Sequence, residues 1–374
     1  MAKKVLSLVL VLFSLMLSAQ NEFITTWRTT VADKSITIPT TGTGYNYSVD
    51  WGDGSVESGF NGDASHTYST AGDYQVKISG EFPRIFFNNN ADSDKIQSVD
   101  QWGTIAWTSF VNAFNDCKQL KILAIDAPDL SNVTDLGSAF KACRAIGNPD
   151  LSNWDVSGIT NMNSLFFFSN FNGDVTTWDV GSVTNFAAMF AQTPFNQDIS
   201  GWNIGERVSG NSITMSQMFA LAKSFSYNIG GWDMSKVINA LQMLRSTDSF
   251  DYDLGGWDIS NMVEMTDFLN SASLSSINYD NTLIGLLKTH PTKQHSLLIP
   301  NIGGRRSQLK PTNWTSNRHI QPLHNTSLME HMFIGTGQSY HILTNFKILK
   351  TYTTSPISFL YHLCCSRHSW WDIG

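Results

Sequence analysis

Histidine and cysteine, the side chains most used in metal sites and nucleophilic catalysis, are nearly missing from the greater part of this chain. Of nine histidines in 374 residues, only His66 lies between residues 22 and 285, and the other eight fall after 285. The four cysteines, Cys117, Cys143, Cys364 and Cys365, match no zinc pattern of paired CxxC units. Charged residues make up only 15% of the chain. No stretch reaches the roughly 20 apolar residues that a membrane-spanning helix needs, so no membrane span is expected. A catalytic centre built on histidine, cysteine or a metal has little to draw on, and we expect neither an enzyme nor a cofactor.

Acid and base are unevenly placed. Of 24 basic and 31 acidic residues, nine and two lie after residue 285, leaving 15 against 29 before it. The acidic main body argues against a nucleic-acid partner, whose binders carry a basic face. The chain opens on Lys3-Lys4, an apolar run from Val5 to Leu17, then Ser18-Ala19. That order reads as a secretory signal peptide over residues 1–19, giving an exported or surface protein.

Residues 22–98 carry two alternating stretches, Tyr45 to Trp51 and Tyr74 to Ile78, whose period of two predicts half-buried strands. Between them sit a tight Gly52-Asp53-Gly54 turn and a polar loop. The pattern Val49-Asp50-Trp51-Gly52-Asp53-Gly54, His66-Thr67-Tyr68 and Ala71-Gly72-Asp73-Tyr74 resembles PKD-type domains, which implies an immunoglobulin-like β-sandwich. In that family Asp50, Asp53 and His66 fix turns and brace strands. The other reading is a calcium or ligand contact, for which two or three oxygens can be named against the six or more that calcium takes.

Residues 99–285 repeat. Trp154, Trp178, Trp202, Trp232 and Trp257 are spaced 24, 24, 30 and 25 residues apart. Seven residues before each of the last four stands a phenylalanine: Phe171, Phe195, Phe225 and Phe250. The longer gap holds a polar insertion near Glu206 to Asn211. Asp174 to Val180 is short and β-branched and predicts a strand; Phe186, Met189 and Phe190, at i, i+3 and i+4, predict a short helix. A unit of one strand and one helix is too small to bury its own Trp, Phe and Met, so neighbours must share a core. The strict period assigns these aromatics to that core rather than to a sugar-stacking platform. The fold expected is mixed: an N-terminal β-sandwich, then an α/β leucine-rich-repeat-like solenoid of about six repeats.

The segments Trp154-Asp155-Val156-Ser157-Gly158-Ile159-Thr160-Asn161-Met162 and Phe195-Asn196-Gln197-Asp198-Ile199-Ser200-Gly201-Trp202 resemble the BspA-like leucine-rich repeat surface proteins, a repeat family of mycoplasma and Bacteroidetes lipoproteins. The resemblance implies adhesion and protein binding at the cell surface. The repeated Asp and Asn leave calcium open as a ligand, against their use in bonding neighbouring backbone amides. Cys117 and Cys143 each follow a phenylalanine by three residues, so they are equivalent in adjacent repeats. An oxidising compartment favours a disulfide there. Helical packing at 8–10 Å weighs against it, because bonded Cβ atoms sit about 3.5–4.5 Å apart.

Residues 286–374 drop the repeat and nearly all acid. We read them as an aberrant tail, disordered or translated out of frame. The function expected is a non-catalytic secreted or cell-surface scaffold whose partner is an extracellular protein or a host or matrix ligand. The alternative is an accessory glycan-binding protein of a secreted polysaccharide-utilisation system. Arg207, Lys223, Arg245 and Glu264, which break the repeat frame, are the candidates for contacts.

Overall fold

The computed structural model describes residues 21–290, together with the backbone of strands at 333–336, 339–344 and 347–348. The signal-peptide and out-of-frame readings fall almost wholly outside the described residues. Contacts divide the chain into a unit over Met1–Gly304 and another over Arg305–Gly374.

The first unit opens with β1 (Phe23–Arg28), β2 (Ser35–Ile38), β3 (Asn46–Asp50), β4 (Val56–Phe60), β5 (Ala64–Thr67), β6 (Asp73–Glu81), β7 (Ile96–Gln101) and β8 (Lys121–Ile122). Six of these form one sheet in the order β4-β3-β6-β1-β7-β8, and β2 pairs with β5 apart from it. Alternation decides which side chains go inward. In β1, Phe23, Thr25 and Trp27 are buried between partly exposed neighbours. In the β2–β5 pair, Ile36, Ile38 and Ala64 are buried. Hydroxyl pairs line its other side, Ser35 with Thr67 at 3.1 Å and Thr37 with Ser65 at 2.9 Å. The antiparallel pattern ends at β7, which pairs in parallel with β8 through Ser98–Lys121 and Val99–Ile122. The repeats grow from that edge.

The repeats contain no helix before Ser276, and strand outweighs helix among the described residues. The α/β leucine-rich-repeat-like solenoid expected from the sequence is therefore not the architecture. The segment Phe186 to Gln192 shows why. A helix returns each N–H to the carbonyl four residues back. Here Phe186, Ala188, Phe190 and Gln192 donate instead to Thr214, Ser216, Met218 and Ala220 of the next repeat, at 2.8–2.9 Å. The intervening Met189 and Ala191 bond back only three residues, to Phe186 and Ala188. Ala188 and Gln192 adopt left-handed φ of 54° and 58°. The same pair recurs at Asn112/Asp116, Ser138/Ala142, Ser164/Phe168, Gln217/Leu221, Gln242/Ser246 and Asp267/Ser271. Each such residue costs about 1–2 kcal/mol in a non-glycine side chain. The bond that each rung makes to its neighbour offsets that cost. The expected strand over 174–180 is likewise reduced to one parallel bridge between Asp150 and Asp174, followed by a turn.

Parallel contacts link Asp135 with Asn161, Asn161 with Asn185, Asn185 with Thr214, Thr214 with Asn239, and Asn239 with Glu264. The pairs at Thr214 include the short strands β9 (Ile213–Thr214) and β10 (Val237–Asn239). Behind this ladder the aromatics form columns. Phe114, Phe140, Phe166, Phe190 and Phe219 stack at centroid spacings of 5.5–5.9 Å. Phe171, Phe195, Phe225 and Phe250 stack at 6.1–6.2 Å. Within a repeat the columns touch, as for Phe190 and Phe195 at 3.8 Å. Burying each ring is worth about 1.5–3 kcal/mol.

The described array closes on α1 (Ser276–Thr289), capped by the Ser275 hydroxyl, which accepts from the Asn278 amide. Thr282 Oγ1 accepts the Leu254 N–H at 2.9 Å, and Leu286 is fully buried. Gly255 and Gly285 let the two backbones approach so closely that a Cβ on either would collide with the other. The helix thus continues beyond Gly285, where the sequence pattern stops. In the second unit β11 (Phe333–Thr336), β12 (Ser339–Thr344) and β13 (Lys347–Ile348) form one antiparallel sheet.

Candidate functional site

Lys95 pairs with Asp33 and Asp92 at 2.6 Å each, and a second cluster of titratable side chains in the N-terminal sheets surrounds His66. β3 delivers Asp50 and Trp51 to a turn in which Asp50 Oδ1 accepts the Gly52 N–H at 3.0 Å and Asp53 Oδ1 the Ser55 N–H at 2.9 Å. Gly52 has φ of 79°, and a side chain there would collide with the Gln75 carbonyl oxygen. β5 brings His66 across so that its ring stacks on Trp51 at 5.0 Å. His66 Nε2 lies 2.9 Å from Asp53 Oδ2, and Nδ1 lies 3.5 Å from Glu57 Oε1. Trp51 Nε1 donates to the same Glu57 oxygen at 3.1 Å, and the Tyr68 hydroxyl donates to the Trp51 carbonyl at 2.9 Å. The bond from His66 holds Asp53 down at about 2, below the ordinary carboxylate value. Both ring nitrogens face carboxylates, so the histidine braces the turn and offers no free nitrogen to a substrate. Among the described residues, no group of three or more His, Cys, Asp or Glu is placed to hold a metal ion.

The repeated Asp and Asn residues have a local use. Asp129, Asp150, Asp155, Asp174, Asp198, Asp233 and Asp258 each accept the N–H two residues ahead, at 2.9–3.1 Å. These are Asx turns, in which the carboxylate replaces a backbone acceptor. Trp154, Trp178, Trp202, Trp232 and Trp257 are all buried, as are Phe171, Phe195, Phe225 and Phe250. The tryptophans also fasten neighbours together: Nε1 of Trp178, Trp202, Trp232 and Trp257 donates to the carbonyl of Leu151, Val175, Ile199 and Ile229, at 2.8–3.2 Å. Cys117 and Cys143 are buried free thiols.

Three of the frame-breaking residues have internal work. Arg207, from the inserted loop, donates to Asp179 Oδ1 at 2.7 Å, to Ser182 Oγ at 3.0 Å and to the Ser157 carbonyl at 3.4 Å, tying its loop to two earlier repeats. Arg207 is the main reason Asp179 titrates low, at about 2. Glu264 Oε1 caps the Thr266 N–H at 2.8 Å. Lys223 pairs loosely with Asp248 at 3.6 Å on the surface. Arg245 is exposed, in the column that also holds Lys141, Phe167, Ala191 and Ala220.

The neighbouring column presents two large apolar side chains to solvent. Phe168 and Leu221 are 43% and 39% exposed, each at a left-handed position. The Arg144 guanidinium lies 3.2 Å from the Phe168 ring centroid, and Lys141 Nζ lies 5.6 Å from that of Phe167. Asn170 Nδ2 donates to the Arg144 carbonyl at 2.6 Å and steadies the corner. Sequence reasoning passed over this cluster. Its signal was the run Phe166-Phe167-Phe168, in which only Phe166 has a place in the core column.

Residues 108–213 and 195–282 each match the family described as Mycoplasma protein of unknown function, DUF285. The two matches overlap and together span less than half of the 374 residues. They fall on the rungs and aromatic columns, so the likeness is one of repeat and carries no activity with it. No curated protein and no solved structure matches the chain. Among the described residues no helix is long and apolar enough to cross a membrane.

Proposed function

We propose that this protein is a non-catalytic scaffold, secreted or held at the cell surface, that binds an extracellular protein partner through the Arg144–Phe168–Leu221 stripe. The resemblance to BspA-like surface repeats and to a PKD-type module supports the compartment, as does the basic, then apolar, start of the chain. The observation that carries the binding reading is the pairing of exposed Phe168 with Arg144. Aromatic and arginine side chains together are what protein interfaces favour at their centres. The core aromatics are buried and leave no broad stacking platform for sugars.

The test is direct binding of the full chain to a panel of purified extracellular-matrix proteins and to a glycan array. Saturable binding to one of those proteins, weakened about tenfold or more by Phe168→Asn with Arg144→Ala, is the expected result. Asparagine tolerates the left-handed backbone at 168, so that variant keeps the fold. Sugar binding with no protein partner, or protein binding that the double variant leaves unchanged, overturns the proposal.

A further inference from the structure

We propose that Cys117 and Cys143 close a disulfide that locks the first two cysteine-bearing rungs of the array together when the chain folds in the presence of a thiol oxidant. The two cysteines hold equivalent places in adjacent rungs. The bonds on either side, Phe114 N–H to the Ala139 carbonyl and Asp116 N–H to the Lys141 carbonyl, both measure 2.8 Å. Backbones hydrogen-bonded in this way run about 4.8 Å apart. That spacing lies inside the roughly 4.4–6.8 Å between Cα atoms that a disulfide spans. The wider spacing of packed helices, which weighs against the bond in the sequence, does not apply because no helix is there.

The later members of the same column are Ser169, Thr193, Ala222, Thr247 and Ala272, all small and buried. The hydroxyls of Ser169, Thr193 and Thr247 turn back to carbonyls of their own rung, at 2.7–2.8 Å. The Cys143 thiol behaves differently. It reaches into the preceding rung and donates to the Phe114 carbonyl at 3.2 Å, the oxygen that also accepts the Cys117 N–H at 3.0 Å. Its sulfur therefore rests beside the Cys117 backbone.

Both side chains are fully buried, and burial raises both thiols well above their ordinary value. Thiolate, the attacking species, is scarce once the core has closed, so the bond forms as the chain folds. The Cys117 thiolate attacks a low-molecular-weight disulfide such as oxidised glutathione and expels one glutathione thiolate. The Cys143 thiolate then attacks the Cys117 sulfur of the mixed disulfide and expels the second. Each cysteine gives up one proton, and two electrons pass to the glutathione disulfide.

The test uses the full chain carrying Cys364→Ser and Cys365→Ser, which removes the competing thiols. It is refolded from denaturant in a glutathione redox buffer, alkylated and digested with trypsin without reduction. The expected product joins the peptide from Ile96 to Lys118 with that from Ala142 to Arg144. Reduction of the refolded protein should lower its melting midpoint by about 6–12 °C, the scale for opening a covalent loop of this length. A further Cys143→Ser change should abolish that dependence. Refolded protein, judged native by the near-ultraviolet circular dichroism of its tryptophans, in which both cysteines are alkylated overturns the proposal.

Discussion

Trp232 Nε1 donates to the Ile199 carbonyl oxygen at 3.0 Å, 33 residues earlier in the chain. In the neighbouring repeats the same bond spans 27 or 28 residues, as from Trp202 to Val175 and from Trp257 to Ile229. The insertion after Trp202 is therefore absorbed in the loop that carries Arg207, and the contact between repeats is unchanged. Replacing Trp232 by phenylalanine removes the bond between repeats and leaves the Ile199 carbonyl with the Trp202 N–H alone, at 3.1 Å. A loss of about 0.5–1.5 kcal/mol in denaturant unfolding is expected from the bond alone. Phe168→Ala, at a half-exposed site, removes no bond between repeats, so Trp232→Phe should destabilise more than Phe168→Ala.

Phe195 lies between Phe171 and Phe225 at 6.1 and 6.2 Å and against Phe190 at 3.8 Å. Truncation to alanine opens a void that three rings border. Phe195→Ala should cost about 3–5 kcal/mol. The check is the unfolding midpoint in guanidinium chloride, with the full-length chain as reference.

Gln192 distinguishes the rung from the helix that its repeat spells. A glycine within an exposed helix costs about 1 kcal/mol. At a left-handed φ of 58° the same change removes strain. Gln192→Gly should therefore leave thermal stability equal or raise it by up to about 1 kcal/mol. A fall of that size would instead support a helical backbone at this position.

Asp53 titrates at about 2 in the folded chain, below the ordinary 3.8, chiefly through its bond from His66. A depressed folded value means that its contribution is fully present above about pH 4 and is lost as pH falls toward 2. Urea unfolding between pH 5 and 2 should show the wild type losing stability more steeply than Asp53→Asn. Equal slopes would remove Asp53 from the acid response.

Some of this could be read from the residues themselves. The spacing of Trp154, Trp178, Trp202, Trp232 and Trp257 exposes a repeat because a unit of that length cannot bury its own aromatics. The alternation at Tyr45–Trp51 and Tyr74–Ile78 coincides with β3 and β6, since a period of two is the signature of one extended face. Other features were hidden. The exposed corner at Arg144, Phe167 and Phe168 depends on which phenylalanine of three enters the column, and adjacent residues of one type do not show that. Arg207 reaches Ser157, fifty residues away, and no local pattern reports such a bond.

The sequence by itself determined the period, the identity of the aromatic columns and the Asx turns, because burial and short-range hydrogen bonding depend on residue type and spacing. Only the tertiary structure decided the backbone between them. The spacing i, i+3, i+4 at Phe186, Met189 and Phe190 suits a helix and suits an alternating left- and right-handed turn equally well. An isolated repeat would favour the helix, since Ala188 and Gln192 would find no carbonyl to receive their N–H groups. With the next repeat in place they meet Ser216 and Ala220. Those bonds overcome the left-handed strain, and the rung replaces the helix.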